Sequence, residues 1–125
     1  MSKQKVDVTK RTIGINFTEE NTATITVWAP LANTVTVVAN ELEIPLQKGE
    51  MGYWQASTQA ITKGTRYKIQ VDKNTPFPDP ASLFQPEGVH GDSEAVNLSY
   101  AWKTTAWNNL PLEDYIIYEL HTGTF

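Results

Sequence analysis

The chain contains no cysteine. That excludes disulfides and thiolate metal sites, and it fits a reducing compartment. Only two histidines are present, His90 and His121. They are far apart and show no H-x-x-x-H spacing, so no metal site is expected. Basic residues are in the minority, with 10 Lys and Arg against 14 Asp and Glu and a net charge of −4. Neither nucleic acid nor an anionic membrane is therefore an expected partner. No apolar run approaches the roughly 20 residues that a membrane-spanning helix needs. The basic start, MSKQKVDVTKRT, has no apolar stretch, so no secretory signal is predicted. These absences together predict a soluble, cytoplasmic protein.

Recognisable catalytic patterns are also missing. The glycines are scattered singly, with no phosphate-cradling loop and no G-x-S-x-G elbow. Glu87, Asp92 and Glu94 are close in sequence, on a polar stretch where solvation is the simplest fate. A carboxylate pair that cleaves a glycosidic bond needs a cleft and a separation of about 5–9 Å. Nothing in the sequence indicates such a cleft, so no catalytic residue and no cofactor is assigned.

Helical periodicity is absent too, and the body of the chain reads as β. Ile13, Ile15 and Phe17 alternate with Gly14 and Asn16. After a polar turn at residues 19–21, TATITVW (22–28) is rich in β-branched residues, with Ala23, Ile25 and Val27 pointing one way. Pro30 ends that strand. Val35 and Val37 repeat the pattern, residues 42–46 are a short candidate weakened by Pro45, and Tyr67, Ile69 and Val71 alternate again. Strands recur about every ten to fifteen residues with turn signals between them, which argues for an immunoglobulin-like antiparallel β-sandwich. A composition of 40% apolar and 19% charged residues over 125 positions suits one globular core.

After Val71 the composition changes. Pro76, Pro78 and Pro80 make a stiff extended loop, and EGVHGD (87–92) continues it. Residues 94–98 are a candidate last strand. Residues 100–113 read as a linker that carries two tryptophans, Trp102 and Trp107, whose large rings need something to pack against. The final stretch, DYIIYELHTGTF (114–125), holds a short apolar run of the kind found in strands buried on both faces. The expected organisation is a sandwich over 1–99, a linker over 100–113, and at 114–125 the opening of a further domain. Without that domain the run would fold back, fray or pair with a second copy.

Aromatic residues are the best lead to a ligand. Sugars stack their C–H faces on exposed rings, and nearby amide or lysine side chains bond the hydroxyls. Trp54, Tyr53 and Lys68 are the candidate platform, with Tyr67 and Trp28 as weaker additions. The competing reading is packing, because Trp28 and Trp54 lie inside strand patterns where an aromatic ring usually serves the core.

Three stretches carry a family resemblance. Trp28-Ala29-Pro30 with Ala32 and Val35, followed by Gly52, Trp54, Gly64 and Tyr67, resembles the N-terminal sandwich of α-amylase-superfamily (glycoside hydrolase family 13) enzymes, assigned to carbohydrate-binding module family 48. DPASLFQPEGVHG (79–91) is similar to a run of the malto-oligosyltrehalose trehalohydrolases. YELHTGTF (118–125) looks like the segment that opens the catalytic (β/α)₈ barrel there and in branching enzymes. Leu83, Asp92 and Thr122 depart from the trehalohydrolase pattern, so an α-amylase or a branching enzyme stays open as the parent. The resemblance implies a non-catalytic accessory domain that packs on its own barrel and shapes the cleft. Trp102, Trp107, Tyr118 and Phe84 would form the contact. The catalytic carboxylates of such enzymes lie on later barrel strands and have no counterpart here. Two other readings remain, an autonomous module that binds α-glucan or malto-oligosaccharide and an unrelated immunoglobulin-like interaction domain.

Overall fold

A computed structural model describes residues 11–103, 106 and 108–124. Among the described residues, eight strands form two four-stranded antiparallel sheets: β1 (Gly14–Phe17), β2 (Ala23–Trp28), β3 (Val35–Ala39), β4 (Leu42–Pro45), β5 (Gln47–Lys48), β6 (Tyr53–Thr58), β7 (Arg66–Val71) and β8 (Ser93–Glu94). The first sheet runs β1-β2-β6-β5 and the second β4-β3-β7-β8. No α-helix occurs among the described residues.

Alternation decides the layering. Ile15, Ala23, Ile25, Val27 and Trp54 turn inward from the first sheet, and Val35, Val37, Ala39, Tyr67 and Ile69 from the second. Ile61 and Ala95, outside the regular strands, close the core. Residues one step along a strand turn to the outer face instead, because successive side chains leave opposite faces. Removing these apolar groups from water is the main stabilising term, about 25 cal/mol per Å².

Local signals place the turns. Asn40, at φ 56°, makes the tight turn that pairs Ala39 with Leu42. Pro45 is tolerated opposite Thr36 because β4 is an edge strand, where a missing N–H leaves no central ladder bond unmade. Gly52 is required. Its φ is +84°, and an added Cβ would stand 2.6 Å from the Pro30 Cβ.

One expectation is corrected. The last strand is Ser93–Glu94, one residue earlier than 94–98 and much shorter. Beyond it, Ala95 exchanges backbone hydrogen bonds with Thr65 and Gly64 instead of extending a ladder. The apolar run at 115–120 forms no strand, and every residue in it is exposed, with Ile116 fully so. A strand needs a neighbour for its backbone groups, and none of the described strands pairs with this run.

Candidate functional site

The proline-rich stretch is a braced loop. Phe77 exchanges backbone hydrogen bonds with Ile69 at 2.8 and 2.9 Å, so one residue between two prolines joins the sheet edge. Asp79 follows, buried at 4% exposure. Its Oδ2 accepts a 2.8 Å hydrogen bond from the Tyr67 hydroxyl. Its Oδ1 accepts from the Ala81 backbone N–H at 2.9 Å. Its own N–H donates to the Oγ of Ser93, which is fully buried. No buried side-chain polar atom of the described residues lacks a partner. Burial, and then the Asp79 carboxylate, push the Tyr67 hydroxyl well above the ordinary phenol range.

Further bonds fix the loop from outside. Arg11 Nη2 donates to the Ala81 carbonyl at 2.6 Å, and the Glu94 N–H donates to the Phe84 carbonyl at 2.9 Å. The loop therefore ties β7 and β8 of one sheet to the chain entering β1 of the other. Despite this bracing it holds Leu83, Phe84 and Val89 exposed, Phe84 at 48%.

The three acidic residues here are engaged in ion pairs. Glu94 and Glu87 pair with Arg66 at 2.9 and 3.5 Å, and Asp92 pairs with Lys68 at 3.2 Å. Such surface pairs contribute about 0–1 kcal/mol each. No group of three potential metal ligands comes together among the described residues.

The predicted aromatic platform is not assembled. Trp54 points into the core at 5% exposure, and its Nε1–H donates to the Ala29 carbonyl at 3.0 Å. Lys48 Nζ lies 5.6 Å from the centre of its ring. Tyr53, one residue earlier, faces the other way, outward from the first sheet. Lys68 lies between the buried Tyr67 and Ile69 on β7, and so turns outward from the second sheet. The three residues occupy two outer faces and the core between them.

Trp28 is the residue that the packing reading misplaced. It is 58% exposed and stands directly opposite Tyr53 in the β2–β6 register. The signal was present in the sequence: Trp28 has the opposite parity to the inward Ala23, Ile25 and Val27.

The residues assigned to barrel packing are all exposed where they are described. Trp102 and Tyr118 face solvent, and Trp102 meets Tyr100 edge-on with ring centres 4.7 Å apart. Trp107 lies outside the described residues.

Comparison with known proteins gives this geometry a family. Residues 12–87 match the model of carbohydrate-binding module 48, the isoamylase N-terminal domain. The malto-oligosyltrehalose trehalohydrolase of Saccharolobus solfataricus is 37% identical over 108 residues, covering 86% of this chain and 19% of the relative. That of Arthrobacter ramosus is 43% identical over 105 residues, covering 79% and 18%. A solved alpha amylase from Salmonella typhimurium superposes with a TM-score of 0.78 at 28% identity, over 92% of this chain and 20% of that one. The chain thus spans about a fifth of the length of these relatives. With the two-sheet sandwich and the match over 12–87, the chain belongs to the carbohydrate-binding module 48 (isoamylase N-terminal domain) family.

Proposed function

We propose that this chain is the non-catalytic accessory domain of a longer glucan-active glycoside hydrolase of trehalohydrolase, α-amylase or branching-enzyme type. In this reading it packs on the catalytic barrel through the loop at residues 79–91 and shapes one side of the cleft. The observation that carries it is the contrast within that loop. A buried Asp79–Tyr67–Ser93 network holds it rigid, yet it keeps Leu83, Phe84 and Val89 in water. Rigid apolar residues in solvent mark an interaction surface. The relatives, about five times longer, suggest its occupant: the rest of the same polypeptide. The linker aromatics Tyr100 and Trp102 and the apolar run with Ile116, Ile117 and Tyr118 are exposed as well.

Oxidative footprinting tests this. Phe84 and Leu83 react readily in the 125-residue chain and are protected in the longer protein. Equal labelling of Phe84 in both would remove the proposed contact.

A further inference from the structure

The loop that begins at Asp79 is fastened in two different ways along its length. Its first part, residues 79–84, hangs on the buried hydrogen bonds of Asp79 with Tyr67 and Ser93, and on the bond from Arg11 to the Ala81 carbonyl. Its second part, residues 85–92, has no buried residue. The uncharged hydrogen bonds of this part are internal. The Gly88 N–H donates to the Gln85 carbonyl at 3.1 Å, the Gly91 N–H to the Gly88 carbonyl at 3.0 Å, and Gln85 Nε2 to the Val89 carbonyl at 3.4 Å. Among the described residues, its polar links to the sandwich are ion pairs: Glu87 with Arg66 at 3.5 Å and Asp92 with Lys68 at 3.2 Å.

This second part is nonetheless a unit. Two successive turns fold it on itself, with Gly88 at φ +87°. Gly91 passes so close to Glu87 that an added Cβ would stand 2.9 Å from the Glu87 Cβ. Just outside it, the Glu94 N–H donates to the Phe84 carbonyl at 2.9 Å and closes its base. A closed base, a compact body and purely ionic fastenings describe a strap that swings about its two ends. The fastenings are also open to ions, because all four paired side chains are about a third or more exposed. Arg66 has a second and shorter pair with Glu94 at 2.9 Å, so Glu87 leaves without stranding the guanidinium. The Debye length falls from about 30 Å at 0.01 M salt to about 3 Å at 1 M, shorter than either pair.

We infer that residues 85–92 are a salt-released strap: Arg66 and Lys68 on the outer face of the second sheet hold it closed through Glu87 and Asp92, and screening of these pairs frees it. Residues 79–84 stay in place when it opens, because their hydrogen bonds are shielded from salt by burial. Release therefore moves Val89 and His90, both exposed, and leaves Leu83 and Phe84 where they are. The strap adjusts the rim of the exposed apolar surface and not its centre. That consequence alone rests on the proposed contact with the rest of the polypeptide; the strap itself does not.

The chain has no cysteine, so a single introduced thiol carries a spin label at a chosen place. The test labels Val89→Cys on the strap, and separately Leu83→Cys before it, and reads paramagnetic broadening of the Arg66 and Lys68 amides by NMR. With the Val89 label the broadening falls by about half or more between about 0.01 M and 1 M sodium chloride, as screening of the fastenings requires. With the Leu83 label it does not change. Glu87→Gln with Asp92→Asn gives the high-salt pattern already at low salt, and Lys68→Asp with Asp92→Lys restores the salt response. Broadening from the Val89 label that ignores salt overturns the strap. So does an equal salt response from both labels, or an undiminished response in the Glu87→Gln, Asp92→Asn variant. None of these results bears on the Phe84 contact, whose failure is read in footprinting instead.

Discussion

The Tyr67 hydroxyl donates to Asp79 Oδ2 across 2.8 Å, with both groups buried beneath the loop that displays Phe84. This bond joins a core strand to the first residue of the braced loop. Tyr67→Phe leaves a buried carboxylate oxygen one donor short, and is expected to cost about 1–3 kcal/mol. Asp79→Ala strips partners from both Tyr67 and the Ala81 N–H and should cost more. Urea unfolding measures both, and footprinting of the same variants should show loosening of the loop at residues 81–91.

Alkaline unfolding isolates the same bond. The folded state holds the Tyr67 proton far above the ordinary phenol value of 10.0. In the unfolded chain the phenol ionises near that value, so above about pH 10 the unfolded state binds fewer protons and stability falls as pH rises. The contribution is fully present below pH 10. Tyr67→Phe should flatten this fall between about pH 10 and 12 in pH-dependent urea unfolding.

Trp54→Ala should unfold or severely destabilise the chain, by about 3–5 kcal/mol, because a buried indole leaves a cavity and the Ala29 carbonyl keeps only one of its two donors, the Ala32 N–H. The contrast with Trp28→Ala is diagnostic. Trp28 is mostly in solvent, so its removal should change Tm far less. Thermal unfolding by circular dichroism compares the two directly.

Gly52→Ala meets both a positive φ and the Pro30 ring at 2.6 Å. Strain and overpacking together should cost roughly 2–4 kcal/mol. Gly64→Ala, also at positive φ but with nothing within 4 Å, should cost about 1 kcal/mol, the conformational part alone. The difference between the two, read from urea midpoints, measures the Pro30 contact.

Deleting residues 114–125 should leave the Tm of the sandwich unchanged, since the described residues of that stretch are exposed and none belongs to the core. We propose that the same deletion removes self-association of the isolated chain, because it removes the exposed Ile116, Ile117 and Tyr118. Sedimentation velocity at increasing concentration checks this, and a dimer that survives the deletion would place the contact elsewhere.

Much of the sandwich was legible in the residues themselves. Alternation at Ala23, Ile25 and Val27, at Val35 and Val37, and at Tyr67, Ile69 and Val71 marks inward faces that the structure confirms. The expected grouping of Trp54, Tyr53 and Lys68 was not one that local pattern could decide. Tyr53 and Trp54 are neighbours on one strand and so cannot share a face, while the sheet to which Lys68 belongs depends on pairing that no local pattern encodes. The part played by Asp79 was hidden for a similar reason, since Tyr67 and Ser93 are brought to it only by the fold. The run at 115–120 shows the limit of apolar patterning: its composition suits a buried strand, but a strand forms only where another strand receives it.

The most direct test of the accessory role is the affinity between the 125-residue chain and the catalytic segment of the longer protein proposed above, produced separately and followed by calorimetry. A saturable complex is predicted. Leu83→Ser with Phe84→Ser should weaken it about hundredfold or more, as loss of central apolar anchors does, while Lys68→Ala should leave it unchanged. A catalytic segment that does not bind the chain, or that binds the double variant as tightly as the unaltered one, would contradict the proposed role.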